Sequence, residues 1–197
     1  MNGLYRFIRF MLRVFVRIYF RLTVFGEENI PKDGSFILCC NHTSISDVVF
    51  LIAICPRPIH FMAKAELFKN PIVAWFIGKL GAFPVVRGSG GKQALLHSTD
   101  LLKNGEVLGI FPEGTRNREG RPKKGKAGTA FVIAKTGAPV LPVSIYRESL
   151  KPFSKVSVRI GRLLTDEIKT EENSKNELRR VTETIMGTIT EQWERGF

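Results

Sequence analysis

The sequence predicts an α/β fold: a single domain with a mixed, largely buried β-sheet flanked by helices, preceded by an amphipathic helix. Short apolar runs alternate along the chain with segments of helical periodicity, as in layered α/β domains. These runs are continuously apolar, which is typical of strands covered on both faces. The 197 residues suffice for one sizeable core, and no linker, repeat or low-complexity tract divides them.

Strands and helices are expected in regular succession after residue 22. Apolar runs bounded by turn residues predict strands at 22–25, 35–40, 59–63, 82–86, 107–111, 140–145 and 156–160. Periodicity and start signals predict helices at 71–80, 92–103, 127–136 and 173–193. A further helix should run to residue 54, with Ser44 as its N-cap and Asp47 in its first turn. We therefore expect an N-terminal helix at residues 1–22 and an α/β domain at residues 23–197.

The N-terminal segment carries arginines at helical spacing within otherwise apolar sequence. The arginines are Arg6, Arg9, Arg13, Arg17 and Arg21. On a helix they form one narrow stripe and leave the rest of the surface apolar and aromatic. A charge at every turn disfavours a signal peptide and a spanning helix. The pattern favours a helix lying in the membrane interface with its arginines at anionic headgroups, over the alternative of an amphipathic helix packed on a core.

The charge balance of the chain favours an anionic partner. The formal net charge is +12, and the chain from Asp166 onward holds eight acidic and five basic residues. The positive excess therefore lies in the first 165 residues. An enzyme of small neutral substrates has no need of such a field.

The cysteines and histidines do not form a metal or disulfide pattern. The three cysteines lack Cys-x-x-Cys spacing, and Cys39 and Cys40 lie in an apolar run. We expect buried free thiols in a reducing, cytosolic compartment. The three histidines lack ligand spacing with one another, so no metal is expected.

The segment from Asn41 to Asp47 is the first candidate site. His42 follows an apolar strand, and Asp47 falls in the first turn of the next helix. Across such a turn the chain can fold the carboxylate back onto the imidazole, giving a general base with an orienting partner. The alternative is a histidine and a helix-capping aspartate that never meet, and the spacing alone does not decide between them.

The segment from Phe111 to Lys126 is the second candidate site. The sequence Phe-Pro-Glu-Gly-Thr-Arg ends at Arg116, and the stretch from Thr115 to Lys126 holds six basic residues against one acid. Glycines are interleaved with these cations and a helix follows, so N–H groups and cations can converge on a phosphate. A solvated charged face is the alternative.

Four blocks follow one another along the chain: the H-x4-D pair of His42 and Asp47, the segment 81–87 ending in arginine, F-P-E-G-T-R at 111–116, and Leu-Pro-Val-Ser-Ile at 141–145. Together they resemble the glycerolipid acyltransferase family, specifically the small bacterial 1-acyl-sn-glycerol-3-phosphate (lysophosphatidic acid) acyltransferases. The similarity covers roughly residues 20 to 165, and four blocks in this order make coincidence improbable.

The resemblance implies transfer of a fatty acyl group from an acyl carrier protein or coenzyme A thioester to the sn-2 hydroxyl of lysophosphatidate, without a cofactor. Glycerol 3-phosphate or another lysolipid is the alternative acceptor. His42 would be the base and Asp47 its partner. The residues implied in holding the acceptor phosphate are Arg87, Glu113, Gly114, Thr115, Arg116 and Lys126. Two positions depart from the family pattern: Asn117 stands where the family often has serine, and Pro-Val-Val at 84–86 stands where an acidic residue commonly precedes the arginine.

Two further expectations concern partners and place. The resemblance and the N-terminal helix imply a monotopic or peripheral protein on the cytoplasmic face of the cell membrane, bound to its anionic surface. A basic nucleic-acid-binding protein is the rival explanation of the charge, but it predicts cations interleaved with exposed aromatics and gives no role to Asp47 or Glu113. We therefore expect no nucleic-acid partner.

Overall fold

A computed structural model of the chain describes residues 3–85, 91–117, 119–149, 151, 153–170 and 174–197. The α-helices among these residues are α1 Gly3–Tyr19, α2 Ser46–Ile54, α3 Pro71–Lys79, α4 Gly91–Lys103, α5 Gly128–Thr136 and α6 Lys175–Glu194. The strands are β1 Leu22–Phe25, β2 Phe36–Cys40, β3 Ile59–Lys64, β4 Phe83–Val85, β5 Val107–Ile110, β6 Val140–Arg147 and β7 Val156–Ile160. The predicted α/β class with a mixed sheet is confirmed. Val86 and Arg87, at the end of the second sequence block, lie outside the described residues.

The strands form one sheet in the order β1-β7-β6-β2-β5-β3-β4. Neighbouring strands are parallel except β6 and β7, which are antiparallel. At the centre, Leu38 of β2 pairs in register with Gly109 of β5 and with Leu141 of β6. Because β2 and β5 are parallel, the loops that follow them leave the sheet at the same edge. This topology brings the two candidate loops together.

The central strand β2 is buried on both faces, which explains its continuous apolar sequence. Phe36, Leu38 and Cys40 point into one core, which also holds the buried side chains of α1 and α2. Ile37 and Cys39 point into the other, which α4, α5 and α6 cover. Two hydrophobic layers therefore enclose the sheet.

The N-terminal helix α1 packs on the protein with one face and exposes an apolar face. Tyr5 and Val16 are buried, and the Tyr5 hydroxyl donates to the carbonyl of Arg57 at 2.9 Å. Large apolar side chains remain exposed on the rest of the helix: Phe7, Phe10, Met11, Val14, Phe15 and Ile18. Core packing and an unpartnered apolar face, posed as alternatives from the sequence, therefore coexist on one helix.

The arginine stripe of α1 does not act as one unit. Arg9 donates to the carbonyl of Ile54 at 3.3 Å, and Arg13 forms an ion pair with Glu27 at 2.5 Å. The expectation that the whole stripe faces headgroups is therefore wrong for these two residues. Arg6 and Arg17 are exposed. Among the described residues, the helices include none with the length and apolar character needed to cross a bilayer.

Candidate active site

His42 and Asp47 meet at the carboxyl end of β2. The His42 Nδ1 atom lies 3.1 Å from Oδ2 of Asp47, whose side chain is fully buried. The backbone N–H groups of Thr43 and Ser44 donate to the same oxygen at 2.6 and 2.7 Å. These bonds fold the turn so that the carboxylate faces back towards the strand. An ionised carboxylate accepts from Nδ1–H, so Nε2 is the basic nitrogen of the ring.

The same bonds correct one local prediction. Helix α2 begins at Ser46, its N-cap position is Ile45, and no side-chain cap bond is made there. Ser44 is therefore not the N-cap. The Asp47 carboxylate instead accepts the backbone N–H groups of Thr43 and Ser44, which precede the helix.

Aromatic stacking fixes the imidazole plane of His42. The ring stacks on Phe111 with centroids 3.9 Å apart, and Phe111 stacks on Phe61 at 5.9 Å. Phe61 lies against Gly109, where a Cβ atom would fall 2.2 Å from the Phe61 ring. A side chain at position 109 would therefore displace the stack that supports the imidazole.

The backbone of His42 is held from both sides by the second loop. Its N–H donates to Oε1 of Glu113 at 3.0 Å, and its carbonyl accepts from the N–H of Asn117 at 2.7 Å. The Asn117 side chain also bonds within its own loop, to Arg121 and Glu119. The two candidate loops therefore form one hydrogen-bonded unit.

Glu113 is buried, 6% exposed, and bonds the backbone of His42. Burial raises the pKa of this carboxyl group, and the bond from the His42 N–H opposes that shift. Its Oε2 atom is buried, and the backbone N–H of Lys123 also opposes the rise in the pKa of the group. The observed bond joins the two loops. The phosphate-holding role that the resemblance implies for Glu113 stays a prediction.

The other residues implied in phosphate binding lie on the exposed side of this loop. Gly114, Thr115 and Arg116 are exposed and line the same cavity as His42. Gly114 has φ +71°, and a Cβ atom there would lie 3.1 Å from Nζ of Lys126. The Lys126 side chain therefore lies directly over Gly114. Arg116 and Lys126 thus border the same loop. Arg87 lies outside the described residues.

An apolar cavity of about 400 Å³ extends from His42. Helix α2 contributes Val48 and Ile52, and α3 contributes Ile77. Polar groups along the cavity come from the two loops, as His42, Thr115 and Arg116, and from the end of β3, as Lys64. One continuous space therefore joins the His42 imidazole, two cations and a long apolar wall.

The cysteines are free and buried. Burial raises the pKa of Cys55 to about 11 and holds the pKa of Cys40 well above its ordinary range. Thiols in this state are poor nucleophiles. Among the described residues, no three His, Cys, Asp or Glu side chains are grouped to hold a metal ion.

Three residues of the site were not found from the sequence: Asn41, Asn117 and Arg147. The Asn41 side chain is fully buried and exchanges two bonds with the Ile145 backbone, at 2.8 and 3.0 Å. Arg147 forms an ion pair with Asp47 from 100 positions away. Asn41 and Arg147 reach the site because β2 pairs with β6, and local sequence pattern carries no signal for that pairing.

Comparisons with known proteins identify the family of the chain. The family model described as Acyltransferase matches residues 21–146. The chain is 39% identical over 142 residues to the 1-acyl-sn-glycerol-3-phosphate acyltransferase of Bacillus subtilis (strain 168), covering 72% of this chain and 70% of that protein. It is 34% identical over 128 residues to the protein of the same name from Borreliella burgdorferi, covering 64% and 51%.

A solved structure has the same architecture. The crystal structure of the 1-acyl-sn-glycerophosphate acyltransferase from Thermotoga maritima superposes with a TM-score of 0.73 at 27% identity, covering 97% of this chain and 80% of that one. The matched family segment holds both candidate loops and the strands that carry them. The chain therefore belongs to the acyltransferase family.

Proposed function

We propose that this protein is a 1-acyl-sn-glycerol-3-phosphate O-acyltransferase, which converts lysophosphatidate to phosphatidate. The observation that carries the proposal is the His42–Asp47 pair at an apolar cavity that Arg116 also lines. An acceptor with a hydroxyl, a phosphate and a fatty chain presents the three chemical features that these groups match. The names of the relatives support the same acceptor.

In the proposed reaction, Nε2 of His42 takes the proton of the sn-2 hydroxyl as its oxygen attacks the thioester carbonyl. The tetrahedral intermediate collapses, a C–O ester bond replaces the C–S bond, and the thiolate of the carrier leaves with the imidazolium proton. Asp47 orients the ring and stabilises the imidazolium. The step needs no covalent enzyme intermediate, in keeping with the buried state of Cys40.

The proposed phosphate site consists of Arg116 and Lys126 beside Gly114 and Thr115, with Arg87 assigned by resemblance alone. Both described cations are exposed, so a headgroup can reach them. Arg116 presents a planar fork that fits two phosphate oxygens, and Lys126 adds a point charge. Glu113 keeps its phosphate role as a prediction from the resemblance, and we propose in addition that it supports His42, since one of its oxygens holds the histidine backbone.

Replacing Arg116 with lysine is expected to raise KM for lysophosphatidate about tenfold, because the charge stays but the two-point contact is lost. Initial rates over a range of acceptor concentrations, at saturating donor, measure the change. Arg121→Lys is the matched control, since Arg121 pairs with Glu194 at the surface. An unaltered acceptor KM with a raised donor KM would contradict this assignment and indicate that Arg116 binds the phosphates of the donor.

The membrane surface that we propose is formed by α1 and α3. On α3, Ile72 is 78% and Trp75 61% exposed. Leu67, just before α3, is exposed and also lines the cavity. Helix α2 lies between α1 and the cavity, because α1 packs on α2 and residues of α2 line the cavity together with residues of α3. A lipid chain could then enter the cavity from the bilayer. The free buried thiols fit a cytoplasmic face.

The test of the function is acyl transfer by the purified full chain in mixed micelles. Lysophosphatidate, glycerol 3-phosphate and a neutral lysolipid are offered in turn, each with an acyl carrier protein thioester and with a coenzyme A thioester. We expect phosphatidate from lysophosphatidate with at least one donor. Transfer to glycerol 3-phosphate or to the neutral lysolipid in preference would contradict the assignment.

A further inference from the structure

The last residue of β6, Arg147, reaches under the active site from the sheet. Its side chain is 6% exposed, although it carries a full charge. One guanidinium nitrogen bonds Oδ1 of Asp47, and another donates to the hydroxyl of Ser46 at 3.2 Å. The guanidinium also lies over the ring of Phe50, 5.4 Å from its centroid. A buried cation with these contacts has one defined orientation.

The two oxygens of Asp47 have different partners. Oδ2 faces His42 and accepts the N–H groups of Thr43 and Ser44. Oδ1 bonds Arg147, with a longer contact to the Thr43 hydroxyl. Within the described part of the chain, Arg147 is the one permanently charged cation in an ion pair with this carboxylate. A buried carboxylate without such a partner tends to take up a proton.

We propose that Arg147 is a positioning residue for the reaction, holding Asp47 ionised and turned so that Oδ2 faces His42. The proposal rests on the proposed function of the His42–Asp47 pair. Two other ionisable groups face this pair, Cys40 from β2 and Glu113 from the second loop. Neither is a cation, so neither can replace the charge of Arg147.

Removing the charge of Arg147 should shift the pH–rate profile in a predictable direction. Activity requires the pair to hold an ionised carboxylate and a neutral imidazole. The loss of a neighbouring cation increases the proton affinity of the pair, whichever member binds the proton. The acid limb of the pH–rate profile therefore moves to higher pH, and turnover at neutral pH falls.

The experiment compares the full chain with the neutral variants Arg147→Met and Arg147→Gln. Methionine keeps much of the volume, while glutamine can still bond Ser46, so either folded variant provides the test. We expect an upward shift of the acid limb by about 1–3 pH units. The acceptor KM should stay within about twofold of wild type, because Arg147 contacts neither proposed substrate group. Arg147→Lys should restore most of the acid limb, since it keeps the charge.

Arg159→Met is the matched control. Arg159 is a half-buried arginine on the neighbouring strand β7, over the ring of Phe25 at 4.0 Å. A purely structural role for Arg147 predicts that Arg147→Met and Arg159→Met both lose turnover at all pH values and that neither moves the acid limb of the pH–rate profile. That result, or an unshifted limb in both Arg147 variants, would overturn the proposal.

A readout without turnover separates this proposal from the proposed function. The imidazole NMR signals of His42, His60 and His97 are titrated in wild type and in the neutral variants. We expect the midpoint of His42 alone to move to higher pH, with the other two as internal references. An unmoved His42 midpoint refutes the Arg147 proposal even if the enzyme is active. A moved midpoint supports it even if lysophosphatidate is not the acceptor.

Discussion

His42→Ala is expected to lower kcat about 10²–10⁴-fold, the usual contribution of a general base. The variant loses the nitrogen that takes the hydroxyl proton, while the carboxylate of Asp47 stays in place through its backbone bonds. The side chain of His42 is 15% exposed and its removal leaves space beside Phe111. Initial rates at saturating donor and acceptor measure the effect.

His60→Ala is the matched control for this variant. His60 is a partly exposed histidine on β3 that lies 3.5 Å from Glu106. It should retain near wild-type turnover, because neither residue lines the cavity. Circular dichroism and thermal melting check that both variants are folded. Near wild-type activity in folded His42→Ala would refute the base assignment.

The meeting of His42 and Asp47 was open to prediction because it is local. A strand, a short turn and a helix bring positions five apart into contact, and the hydrogen-bond demand of the turn selects that geometry. The helix cap was predicted wrongly, because the helix begins one residue later than the Ser44 pattern indicates. The Ser44 hydroxyl accepts from the Ser46 N–H at 3.4 Å, while the Asp47 carboxylate accepts the N–H groups of Thr43 and Ser44.

The long-range contacts of the site could not be predicted from local pattern. Glu113 reaches the His42 backbone across 71 positions, and Arg147 reaches Asp47 across 100. Each contact depends on which strands are neighbours in the sheet. The strands themselves were predictable from their apolar runs, but the order β6-β2-β5 is a property of the packed sheet.

The N-terminal helix illustrates a further limit of sequence pattern. Helical spacing placed the arginines on one stripe, but it did not reveal which side of the stripe packs on the domain. The protein-facing side is set by Tyr5 and Val16, which belong to the core that also holds the buried side chains of α2. The large apolar face therefore points away from the domain, as the proposed membrane surface requires.

Phe10→Ser/Ile18→Ser is expected to lower the partitioning of the full chain onto lipid vesicles by about 10²-fold or more. These side chains are 62% and 69% exposed, so their loss removes little from the core. Burial of each in lipid contributes about 1.5–3 kcal/mol. Co-sedimentation with vesicles over a range of lipid concentrations gives the partition coefficient. Substitution suits this test better than deletion of residues 1–20, because deletion would uncover the face of α2 that α1 packs against.

Leu96→Ser provides the matched control, since Leu96 is 48% exposed on α4, over the opposite face of the sheet. It should bind vesicles like wild type.

The charge contribution is tested separately with Arg6→Glu/Arg17→Glu, because these two arginines are exposed while Arg9 and Arg13 contact the protein. Each arginine near an anionic surface contributes about 1 kcal/mol, so this variant should lose at least about tenfold on anionic vesicles and little on zwitterionic ones. If the apolar double variant sediments like wild type on both, α1 is not the anchor, and α3 becomes the surface to substitute next.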